Sequence, residues 1–142
     1  MATRHGSATV TLPSDTEILI TRSFEAPRPL VWDALTQPRH LLRWWGPHWC
    51  PLTACTIDFR VGGDWRYICH NADGAEFAWH GTYQAIDPGW SVTTSEVFEG
   101  FPDAVATNTM SLSEAGGVTT ITTLVRYERK EFRDGHIDSG ME

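Results

Sequence analysis

From Leu52 to Tyr127 the chain alternates short stretches of strand character with turn signals about ten residues apart, and no other feature constrains the fold as much. The turns fall at Gly62-Gly63, Asn71-Ala72-Asp73-Gly74, Asp87-Pro88-Gly89, Glu99-Gly100-Phe101-Pro102-Asp103 and Ala115-Gly116-Gly117. Five turns divide six strands, which reads as an antiparallel meander because each connection is too short for a helical crossover. Upstream, EILITRSFEA from Glu17 alternates and is rich in β-branched residues, giving a seventh strand.

Between this first strand and the meander the period changes. Ala26-Pro27-Arg28-Pro29 opens a helix, since proline is tolerated in a first turn where its missing N–H is not needed, and Leu30, Val31, Ala34 and Leu35 share one face. A second short helix starts at Pro38, carries Leu41, Leu42, Trp44 and Trp45, and is stopped by Gly46-Pro47. After Arg129 the polar stretch ERKEFRDGHIDSGME is compatible with a final helix, although Gly135 and Gly140 weaken it. Residues 1–14 read as a loose polar tail, and residues 15–142 as one domain.

Charge and composition exclude several classes of function. Residues 1–71 hold seven Arg against six acids, whereas residues 72–142 hold four basic residues against twelve acids, and the whole chain carries a formal charge of −7. Nucleic acids and anionic membrane surfaces are poor partners for that field. There is no apolar run long enough to span a bilayer and no apolar core of a secretory signal in the first residues, so the expectation is a cytoplasmic protein. Cys50, Cys55 and Cys69 cannot all pair within one chain, and a domain of this size does not need a disulfide, so reduced thiols are expected. His48-x-Cys50-x4-Cys55 lacks the second ligand pair of a metal site, and neither metal nor cofactor is expected.

Strand parity sorts the aromatic residues. Trp65, Tyr67 and Cys69 share one face of their strand, and Phe77, Trp79, Gly81 and Tyr83 share one face of the next, so both sets are expected to look inward. Glu96 has the parity of Val92 and Phe98 and is expected as a carboxylate facing the interior, with a raised pKa. His70 and His80 fall on the outer face, unless Gly81 marks a bulge that reverses the count at His80. Arg60 and Arg66 are expected on the solvent face beside Asp58 and Asp64. Glu96 and His80 are the acid/base candidates, but they form no spacing-defined dyad.

Arg22-x-Phe24-x-Ala26-Pro27 followed by Val31-Trp32-x-Ala34, then Trp44-Trp45-Gly46-Pro47, Arg60-Val61-Gly62-Gly63-x-Trp65-Arg66-Tyr67, His80-Gly81-x-Tyr83, Glu96-Val97-Phe98-Glu99-Gly100-Phe101-Pro102 and Arg133-Asp134-Gly135-His136 with Ser139-Gly140-Met141-Glu142 carry a resemblance. In this order they resemble the bacterial activator of heat-shock-protein-90 ATPase-like, polyketide cyclase-like branch of the SRPBCC superfamily, the START/Bet v 1-like proteins. The resemblance implies an α+β helix-grip fold, a seven-stranded antiparallel curved sheet gripping a C-terminal helix over an apolar cavity. It implies a binder of a hydrophobic, aromatic or polyketide-like small molecule. The alternatives are a cofactor-independent cyclase/dehydratase-type enzyme using the same cavity and a chaperone-interacting module. Trp45, Trp65, Tyr67, Phe77, Trp79, Tyr83, Phe98, His136 and Met141 are the expected ligand contacts. In relatives the final helix continues for roughly five more turns. The expectation is therefore that further residues, or a second copy in a homodimer, cover the trough. On the final helix Ile137 and Met141 are expected to point into it, with His136 at its edge and Phe132 packed elsewhere.

Overall fold

The computed structural model describes residues 3–5, 8–44 and 50–138. It is an α+β fold built on one antiparallel sheet of nine strands in the order β1-β2-β3-β9-β8-β7-β6-β5-β4. The strands are β1 (Thr3–His5), β2 (Ala8–Thr11), β3 (Glu17–Phe24), β4 (Leu52–Ile57), β5 (Asp64–His70), β6 (Glu76–Asp87), β7 (Ser91–Phe98), β8 (Val105–Ala115) and β9 (Val118–Tyr127). The helices are α1 (Arg28–Thr36), α2 (Pro38–Trp44) and α3 (Lys130–Asp138). The seven expected strands are β3 to β9. The other two come from the stretch read as a loose tail.

The polar composition of that stretch hides a short alternation. In β2, Ala8 and Val10 are buried while Thr9 and Thr11 are partly exposed, and Thr9, Val10 and Thr11 pair with Thr21, Ile20 and Leu19 of β3. The apolar face of β2 is thus continuous with Ile18 and Ile20, and Val10 and Ile18 pack with Ala106 and Val125.

The meander forms through local turns at the expected places, with Gly62, Gly74, Gly89, Gly116 and Gly117 in the left-handed region that favours glycine. Gly81 answers a different need. A Cβ there would stand 1.8 Å from the Ser95 carbonyl oxygen and 2.7 Å from Nε1 of Trp65, so β6 accepts no side chain where β7 and the indole close on it. The bulge in β6 lies between Tyr83 and Ala85, not at Gly81. Parity is therefore unreversed at His80, and the residue is exposed on the outer face.

The helices lie along one side of the sheet. α1 has Pro27 at its N-cap and ends at Gln37, whose N–H bonds the Asp33 carbonyl. Thr119, fully buried on β9, donates its hydroxyl to the Ala26 carbonyl at 2.7 Å and pins the start of α1 to the sheet. Val31 of α1 then packs on Leu112 and Ile121. α3 is held at the other end of the same face. Its Ile137 packs on the Val10, Ile18, Ala106 and Val125 cluster, and its buried Arg133 donates to the Ser14 carbonyl and to Asp134. Phe132 faces elsewhere, edge-on to Phe101 with ring centroids 5.6 Å apart. Met141 lies outside the described residues, as do Trp45 and the Gly46-Pro47 helix stop. None of the described helices is long and apolar enough to cross a membrane.

The expectation of three reduced thiols is overturned. Cys50 and Cys69 form a disulfide with Cα atoms 5.4 Å apart, and Cys55 is the remaining free thiol. The odd count leaves one cysteine over without preventing the other two from pairing. Cys69 stands opposite Leu52 in the β4–β5 register, which brings the chain just before β4 alongside it. Burial pushes the Cys55 thiol up to about 11.

The disulfide closes a loop of 19 residues. Reduction, or Cys69→Ser, should lower stability by about 3 kcal/mol, read as a drop of roughly 6–12 °C in the melting temperature. Gly81→Ala should lower the urea midpoint, at a cost of about 2 kcal/mol or more. An unchanged midpoint would show that β6 and β7 separate easily at this point.

Candidate functional site

The inward parity of six strands and the apolar stripe of α1 enclose a cavity of about 700 Å³, within the range of small-molecule sites. The register lays out the inward side chains of the sheet in rows, some of which reach the cavity. Arg22, Ile121 and Leu112 form the first, Ile20, Thr123, Met110 and Val92 the second, Ile18, Val125, Asn108 and Thr94 the third, and Tyr127, Ala106 and Glu96 the fourth. Leu30, Ala34 and Leu35 of α1 form the roof, with Leu41 of α2 beside them. Among the described residues α3 contributes nothing to the wall. Among the described residues the helical cover of the cavity comes from α1 and α2.

Trp65, Tyr67 and Tyr83 line the cavity. The Trp65 indole N–H donates to the Thr94 hydroxyl at 2.7 Å, and that hydroxyl donates to the Thr82 carbonyl at 2.9 Å. The ring is thereby held in one orientation. Tyr67 and Tyr83 are hydrogen-bonded to each other, and burial pushes both phenols above their ordinary range. Phe59 completes this wall, edge-on to Tyr83 at 5.1 Å and to Trp32 at 5.9 Å. It sits in the turn between β4 and β5, where no periodicity could reveal it.

Phe77, Trp79 and Phe98 have the expected parity but stand beside the cavity, outside its described wall. They pack on one another, Trp79 and Phe77 lying 5.3 and 6.3 Å from Phe98 between centroids. His136 is also set aside from the wall. Its Nδ1 is hydrogen-bonded to the Tyr127 hydroxyl at 2.7 Å, and burial lowers its pKa.

Glu96 faces the cavity. Desolvation raises its pKa to about 7, against the opposing effect of a hydrogen bond from Asn108, and its charge contributes to the raised pKa of Tyr127. His80 is on the other face of the sheet and takes no part in the cavity. There its Nδ1 lies 2.9 Å from Glu99, which also accepts two bonds from Arg66, both at 2.8 Å. Those bonds hold the Glu99 carboxyl down to about 2. The expected pairing of Arg66 with Asp64 is replaced by this cluster, because Glu99, just past β7, reaches across β6. Arg60 does pair with Asp58. Among the described residues no three His, Cys, Asp or Glu side chains are grouped to hold a metal ion.

Sequence reasoning missed Arg22, Asn108 and Thr94 as wall residues. The signal for Arg22 was present, since Ile18, Ile20, Arg22 and Phe24 share one parity and place a cation on an apolar face. Asn108 and Thr94 lie in Thr- and Ser-rich strands where both faces look polar.

The architecture recurs in solved structures from bacteria. A protein from Rhodobacter sphaeroides superposes with a TM-score of 0.87 at 25% identity, over 94% of this chain and 87% of its own. Protein Ms6760 from Mycobacterium smegmatis gives 0.81 at 30% identity, over 99% and 87%. A protein from Arthrobacter aurescens gives 0.84 at 27%, over 93% and 81%. No curated protein matches the sequence. The family model described as activator of Hsp90 ATPase homolog 1-like protein matches residues 25–142. With that span matched and this fold observed, the chain belongs to the activator of Hsp90 ATPase homolog 1-like family.

Proposed function

We propose that the protein binds a hydrophobic small molecule, aromatic or polyketide-like, in the cavity between the sheet and α1. The observation that carries this reading is the wall itself: flat rings fixed by hydrogen bonds at one side, aliphatic side chains above and below, and a volume of about 700 Å³. Fixed aromatic surfaces favour flat apolar ligands, because little side-chain freedom is lost when the ligand docks. A second reading rests on Glu96. A carboxyl poised near neutrality in an apolar cavity suits proton transfer at a carbonyl-bearing substrate, as in a cofactor-independent cyclase or dehydratase. Chaperone interaction draws its support from the family description alone and has no counterpart in the cavity.

The neutral fluorophore N-phenyl-naphthylamine should bind saturably at one site and quench tryptophan emission. Trp65→Ala should weaken it about tenfold or more, as loss of a fixed aromatic wall does. An absence of saturable binding would end the binder reading.

Glu96 also sets a pH dependence. Its folded-state pKa lies above its ordinary 4.5, so its contribution to stability is complete below pH 4.5 and is lost as pH rises through about 7. Glu96→Gln should therefore unfold at a higher urea concentration than wild type at pH 8, by roughly 1–3 kcal/mol, and behave like wild type at pH 4.5. Equal stabilities at both pH values would place the carboxyl in contact with bulk water.

A further inference from the structure

Two buried side-chain atoms among the described residues lack a hydrogen-bond partner, Nε of Arg22 and Oδ1 of Asn108, and both residues wall the same cavity. Unpaired buried polar groups are rare in folded proteins and call for a reason. A guanidinium against an apolar wall is the costlier of the two, and it is normally matched by a carboxylate.

No side chain of the protein supplies that match among the described residues. Glu17, on the same strand, is engaged by Arg126. Glu114 shares the face of Arg22 but lies one row further on and two strands away, exposed and unpaired with it. Glu96 is three rows away, about 20 Å along the strands, and Arg22 is not among the causes of its shifted pKa. The Asn108 amide is committed differently. It gives its N–H to Glu96, which leaves the buried carbonyl oxygen without a partner.

We propose that the cavity takes an amphipathic anion, a carboxylate or similar acidic group on an apolar body, whose negative group is bound by Arg22 and whose far end offers a hydroxyl or N–H to Asn108. This rests on the binder reading and adds the polarity of the ligand. Arg22 presents a planar fork of donors that matches a carboxylate or sulfonate in two parallel bonds. The two polar ends are separated by two rows of the sheet, about 13 Å along the strands, and the side chains between them, Ile20, Thr123 and Met110, are mostly apolar. The chain carries a formal charge of −7, so an anion meets an unfavourable field outside and needs a local cation to be held.

The test uses a matched pair of probes on the full chain: anilinonaphthalene sulfonate and its uncharged parent, N-phenyl-naphthylamine. Each is titrated by fluorescence into wild type, Arg22→Gln and Arg22→Lys, with circular dichroism confirming that every variant is folded. The expected result is that Arg22→Gln weakens the sulfonate by about tenfold to a hundredfold, the range for a hydrogen bond to a charged group. The parent should change by less than about twofold, and Arg22→Lys should retain part of the sulfonate affinity. Added salt should weaken the sulfonate and leave the parent unchanged. The proposal is overturned if Arg22→Gln weakens both probes equally, or neither. Binding of the parent with no preference for the sulfonate in wild type would remove the anion and keep the binder reading. Failure of both probes to bind wild type would remove both.

Discussion

Alternation along the strands is the constraint on which the rest of this molecule depends. Each inward position in β3 and β5 to β9 commits a side chain to the same side of one sheet, and that side needs cover. α1 and α3 supply it from opposite ends, α1 through Val31 on Leu112 and Ile121, α3 through Ile137 on Val10 and Ile18. Among the described residues a cavity remains on that side, and its apolar character follows from the same pattern that folds the chain.

The two faces of the sheet treat identical chemistry in opposite ways. Glu99 and Glu96 are three residues apart, yet one is held to about 2 and the other raised to about 7. The difference lies in the partners. Glu99 accepts from Arg66 and His80 in contact with water, whereas Glu96 has one neutral amide donor and a desolvating wall. A sheet one residue thick is enough to separate a stabilised anion from a titrating one.

Much of this was legible because period and turn chemistry act locally. The β5 and β6 parity placed Trp65, Tyr67 and Tyr83 correctly, the turn glycines fell where they were read, and Phe132 and Ile137 sorted to different sides of α3. What escaped depends on distant partners. Cys50 and Cys69 meet only through the β4–β5 register, β2 declares itself only against β3, and Phe59 reaches Tyr83 from a turn with no period. Arg22 was visible as a cation of the wrong parity, but its isolation from every described acid is a property of the folded sheet. His80 was the reverse case, since an imagined bulge at Gly81 was needed to bring it inward.

The irregularity that does exist in β6, between Tyr83 and Ala85, changes what one long strand can do. Strict alternation would carry the inward face from Tyr83 to Ala85 and turn Ile86 outward. With one residue inserted, Ile86 pairs with Val92 and returns to the core that holds Tyr83. The strand therefore spends its first part on the pocket wall and its second on closing the floor. Chain length at Gln84 is thus a coupling between the two: removing one residue there would oblige the sheet to give up either the tyrosine wall or the Ile86 contact, so variation among related chains should favour changes of side chain at this position over changes of length.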